Sequence, residues 1–138
     1  MSLSLHLAVR TLHVLAMALL VGGAVGCWIA ARRSLDDLHA LATGYEWVFW
    51  AGLGVLVLTG VGNLGALGAP GPATRWGQVL LVKLSLVTVF VLGSAVRTLA
   101  IARTGHSMPL AAWSERAYGL TTLSLLALVV LAEVLAHG

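Results

Sequence analysis

A chain of 138 residues that is 59% hydrophobic and only 9% charged has too little charge to cover the surface of a soluble domain. Its formal net charge of +3 leaves no footprint for a nucleic-acid partner, because the arginines stand near predicted helix ends. The single cysteine, Cys27, excludes an internal disulfide and is expected to pack as a small apolar residue.

The apolar residues come in long runs. Residues 11–31 and 47–74 carry no formal charge; 76–96 carry only Lys83, and 117–138 only Glu133. Each run supplies the roughly 20 apolar residues that a helix needs to cross a bilayer. Helices satisfy their own backbone hydrogen bonds in lipid, and the alternation of a membrane β-barrel is absent. The first run is too long for a signal-peptide core and lacks a small-x-small cleavage site, so it is expected to remain as a span. The spacing predicts an all-α integral membrane four-helix bundle forming a single domain, 1–138. Its helices are expected at about 3–32, 46–65, 76–101 and 112–136. The first connection is charged. The second, GALGAPGPATR, is broken by glycine and proline into a loop, and the third holds Gly105 and Pro109.

Basic residues orient the bundle. Arg32, Arg33, Arg97, Arg103 and Arg116 fall on the side of the first and third connections, and only Arg10 and Arg75 on the side of the termini. That bias predicts a multi-pass protein of the bacterial inner membrane with both termini on the outer, periplasmic side. Trp47, Trp50, Trp76 and Trp113 lie near predicted helix ends, as an interfacial aromatic belt requires.

Ionisable residues inside a span are costly and tend to mark a site. In the first helix, His6, Arg10 and His13 follow at spacings of four and three, and Met17 continues their face. Lys83 lies about two turns into the third helix from its outer end. Glu133 and His137 stand near the outer end of the fourth, and Thr59 and Asn63 near that of the second. All belong to the outer half. Taken singly, His6, Arg10 and His137 read equally well as headgroup-solvated, Lys83 as a snorkelling cation or as the ion-pair partner of Glu133, and His13 as a hydrogen-bonded structural histidine. His39 and His106 read as solvated. The glycines Gly22 and Gly26 fit close helix–helix approach, and the thin bundle is expected to pair as a homodimer in the lipid bilayer.

Two chemistries suit this outer cluster. Heme b needs one or two axial ligands, an apolar slot and cations for its propionates. His13 is the best ligand, and His6, His137 or a neutral Lys83 is a candidate second one. Arg10 and Arg75, with Trp76 beside the latter, lie where propionates would point. Copper is the alternative, with His6, His13 and Met17 on one face, although methionine and cysteine are few.

Two segments carry a family resemblance. LHVLAMALLVGG in the first helix resembles the LH-x-x-small-x-x-x-W-x-GG pattern of the copper-resistance D (CopD) membrane family, with Leu20 or Val21 where that family often has tryptophan. RWGQVLLVKLSL in the third is similar to its W-G-x-x-L-x-x-K-L pattern. HemJ-type protoporphyrinogen oxidases have a related arrangement, in which a first-helix histidine and a third-helix lysine are associated with heme b; the matching residues are His13 and Lys83. The resemblance implies a membrane heme protein with a redox role: electron transfer, or oxidation of a small molecule or gas, with a redox partner or quinone. The rivals are a copper-binding or copper-transporting protein and an accessory structural subunit.

Overall fold

The computed structural model describes residues 2–68, 71–104 and 110–137, with side chains left aside at 63, 66, 67, 104, 110, 111 and 135–137. It contains four helices, α1 (Leu3–Arg32), α2 (Leu38–Leu67), α3 (Arg75–Thr104) and α4 (Leu110–His137), and no strand among the described residues. Each is long and apolar enough to cross a membrane, so the chain is a multi-pass four-helix membrane bundle.

Local chemistry sets the helix ends. Ser2 caps α1 by accepting from the Leu5 N–H at 3.4 Å. At its other end the Arg33, Ser34 and Leu35 amides turn back onto Ile29, Ala31 and Ala30 carbonyls, with Ser34 at φ 48°. Thr74 caps α3, its hydroxyl oxygen accepting from the Gly77 N–H at 3.0 Å. The second helix begins at Leu38, not at residue 46. Gly44 and the preceding charges suggested a late start, but Leu38, Ala42 and Tyr45 bury one helical face. That packing outweighs the cost of about 1 kcal/mol for a glycine in a helix.

Helix α1 packs against both α2 and α4, while α3 rests on α4 and more loosely on α2. The core is lopsided. Its largest cluster joins Leu20, Ala24 and Cys27 to Tyr45, Phe49, Ile101, Tyr118 and Leu125. These residues belong chiefly to the half of the bundle nearer the α1–α2 connection, the distal half. In the terminal half, α1 buries nothing before Ala16 and α3 only Gly77 before Ser94. There α2 buries Thr59, and the described part of α4 beyond Leu125 buries no side chain. Lipid tails are as apolar as leucine, so the driving forces between these helices are close fit and polar bonds, both concentrated in the distal half.

Candidate functional site

The terminal half holds the polar group centred on His13. This residue is half-buried, and its Nδ1 lies 2.7 Å from Thr59 Oγ1 on α2. The Thr59 hydroxyl also lies 2.8 and 3.1 Å from the Val55 and Leu56 carbonyls of its own helix. With the Thr59 proton on a carbonyl of its own helix, its oxygen accepts from Nδ1 of His13; with that proton on Nδ1, the ring carries its own proton on Nε2. In the first arrangement the Nε2 lone pair is available as an acceptor or a metal ligand. Lys83, half-buried on α3, lies within electrostatic reach of this ring. His13 of α1 is thus bonded to Thr59 of α2, and the charge of Lys83 on α3 is felt at its ring.

The other expected residues are more dispersed. His6 and Arg10 are exposed on α1, with His6 about 10 Å from His13 along the axis. Arg75 and Trp76 are exposed at the start of α3, and Glu133 is exposed near the end of α4. The side chains of His137 and Asn63 lie outside the described residues, as do His106 and Met108. Met17 packs against the core cluster. Among the described residues, no three histidine, cysteine, aspartate or glutamate side chains gather around a common point that could hold a metal ion.

A second polar group was not expected from the sequence. Glu46 on α2 and Arg97 on α3 are 5% and 4% exposed, deep within the distal half. Arg97 grips the carboxylate through two bonds, Nε to Oε1 at 2.7 Å and Nη2 to Oε2 at 3.1 Å. Its Nη1 donates to Thr121 Oγ1 at 2.6 Å, an oxygen free to accept because the Thr121 proton goes to the Ala117 carbonyl at 2.8 Å. Tyr118 donates to Glu46 Oε1 at 3.0 Å, and the Thr98 hydroxyl also reaches the carboxylate. The Trp50 indole donates to Thr98 at 2.9 Å. Aromatic faces enclose the guanidinium, with the Phe49 centroid at 4.5 Å and that of Tyr118 at 5.3 Å.

This network corrects two expectations. Arg97 is not a connection charge, so the arginine bias becomes four against two, Arg32, Arg33, Arg103 and Arg116 against Arg10 and Arg75. Trp50 is not part of an interfacial belt, because its indole is committed inside the bundle; Trp47, by contrast, is 79% exposed. Both ends of the ion pair were hidden by boundary placement: Glu46 stood at the expected start of the second helix and Arg97 near the expected end of the third. The signal was the helix-compatible stretch LHALATGY before Glu46.

A groove of about 740 Å³ runs between α3 and α4, with Arg97 and Thr121 among its lining residues. A smaller one of about 380 Å³ between α1 and α2 is lined by apolar residues such as Leu12, Leu19 and Val55. No family model, curated protein or solved structure matches this chain.

Proposed function

We propose that this protein binds heme b in the terminal half of the bundle, with His13 as an axial ligand, and serves a redox role in a bacterial cell membrane. The observation that carries the reading is the His13–Thr59 bond. It engages the imidazole through Nδ1 and so presents Nε2 as the nitrogen that would ligate iron, with Nδ1 donating to Thr59. The sparsely packed terminal half supports it, since an apolar macrocycle needs a space that side chains do not fill. Lys83 is the candidate for the opposite face of the iron or for a nearby charge, and Arg10 and Arg75 are the cations available to propionates. Bound heme supplies one-electron chemistry at its iron; His13 and Thr59 hold the ligand geometry, and the surrounding leucines and valines exclude water.

Heme suits these residues better than copper does, because it needs one or two protein ligands, whereas a copper site would have to recruit His6 from about 10 Å away. The reading includes periplasmic termini, supported by the four-to-two arginine bias. It also includes a homodimer through the exposed Gly22 and Gly26 face of α1. The test is the visible spectrum of protein purified from a heme-sufficient host. A Soret band with heme near one per chain is expected. A colourless protein carrying stoichiometric copper would favour the copper reading, and a protein with neither would favour a structural role.

A further inference from the structure

The distal rim of the α3–α4 pair carries two cations and an indole beside an apolar slot. Arg116 and Trp113 stand on α4 at that end of the groove and line it; Arg116 is exposed and Trp113 is 37% exposed. On α3, Val89 and Val96 line the groove, and Arg103, exposed and seven residues further on, continues their row onto the rim. The two arginines stand at similar heights. Arg97 and Thr121 are bonded to each other, and Arg103 and Arg116 lie beyond them by about 9 and 7.5 Å along their helices. Neither rim arginine forms an ion pair among the described residues, and Glu115, the acid beside Arg116, is taken by Arg32 of α1 at 3.3 Å. Arg97, deeper in the wall, is by contrast matched by Glu46 and needs no ligand. From Leu120 to Leu131 the lining on α4 covers about 16 Å, close to one leaflet of a hydrocarbon core of roughly 30 Å. A Cβ built on Gly93 meets nothing within 4 Å, so the slot is open there.

We infer that this edge of the bundle holds one anionic phospholipid, with its phosphate at Arg103 and Arg116 and an acyl chain in the α3–α4 slot. A guanidinium matches phosphate in geometry as well as charge. Trp113 stands at the interface, where an indole N–H can donate to a lipid ester carbonyl while its ring stays in the apolar zone. A zwitterionic lipid offers the same chain but sets its own cation against the two arginines, so charge selects the occupant. Clusters of basic residues at the cytoplasmic ends of spans attract anionic headgroups in this way, and in the proposed orientation this rim is cytoplasmic. A lipid so placed bridges α3 and α4. The inference depends on neither heme nor His13.

The experiment titrates the full chain, purified in a mild neutral detergent, with phosphatidylglycerol or phosphatidylcholine of matched acyl chains and counts bound lipid by native mass spectrometry. One phosphatidylglycerol per chain is expected at concentrations where phosphatidylcholine is not retained. Arg103→Gln combined with Arg116→Gln should weaken that binding about tenfold or more. Arg33→Gln removes a charge of the same kind at the end of α1 and should leave it unchanged. Gly93→Leu fills the slot without altering charge and should also weaken binding; Ala127→Leu, further along the same groove, covers the case in which Gly93→Leu fails to fold. The thermal midpoint without lipid identifies the folded variants. Equal retention of the two lipids, or wild-type binding by the folded double-arginine variant, would overturn the proposal. So would an equal loss in Arg33→Gln, because the lipid would then answer to general rim charge, and so would wild-type binding by the folded slot variants.

Discussion

At the scale of single residues, the bundle depends on pairs that are stable only when complete. Arg97→Met leaves the Glu46 carboxylate buried without its cation, which should cost about 3–5 kcal/mol. Combining it with Glu46→Leu should restore most of that loss, since a buried ion pair replaced by apolar side chains is often neutral. Thermal unfolding in mild detergent measures both, and a double variant no better than the single one would contradict it. Arg97→Lys should not substitute, because an ammonium cannot make the two-pronged grip on Oε1 and Oε2. At His13 the corresponding prediction concerns Thr59. Thr59→Val keeps the side-chain shape and removes the hydroxyl bonded to Nδ1, so heme affinity should fall about 10–100-fold with the protein still inserted. Unchanged affinity would mean that the bond does not orient a ligand. His13 and Lys83 were legible in the sequence as candidates, because each stands as an isolated polar residue in an apolar run. Glu46 and Arg97 were not, because a charge near a presumed helix end reads as solvated, and only three-dimensional packing shows Tyr118 and Thr121 closing over them.

At the scale of helices, neighbouring glycines in α1 have opposite roles. A Cβ at Gly23 would run into the Tyr45 ring, whereas one at Gly22 meets open space. Tyr45 cannot easily give way, because its hydroxyl donates to the Leu20 carbonyl at 2.7 Å. Gly23→Ala should therefore destabilise the bundle by about 1–3 kcal/mol. Gly22→Ala should be neutral or stabilise it by up to about 1 kcal/mol through helix propensity. Equal thermal midpoints for the two variants would rule out the close approach of α1 and α2 at Gly23. The sequence pointed to Gly22 and Gly26 as the close-packing pair, but within the chain both are exposed. Periodicity identifies a smooth face without saying whether α2 or lipid lies against it. Four spans and the Gly/Pro loop were readable from hydropathy and turn residues. The start of α2 was not, since burial of Leu38 and Tyr45 decided it.

At the scale of the whole molecule, the asymmetry between a locked distal half and a sparsely packed terminal half organises the functional reading. The distal half has a fully engaged carboxylate and an aromatic core, so it acts as the fixed base. The terminal half carries His13 and Lys83 between helices with little core of their own. If Gly22 and Gly26 form a dimer face, Gly22→Ile should leave the monomer fold intact and convert dimer to monomer in native mass measurement; a monomeric wild type would count against the dimer. Topology is tested with Asp36→Cys and Ala73→Cys in a Cys27→Ala background, since both positions are exposed and at opposite ends of α2. An impermeant thiol reagent should label position 73 and not 36 from outside. The most direct test of the central claim is heme stoichiometry, measured by the pyridine hemochrome method on wild type, His13→Ala and His6→Ala purified side by side with matched elution profiles. The expected result is near-stoichiometric heme b in wild type and His6→Ala and loss of most heme in His13→Ala. Undiminished heme in a folded His13→Ala protein, or no heme in wild type, would contradict it.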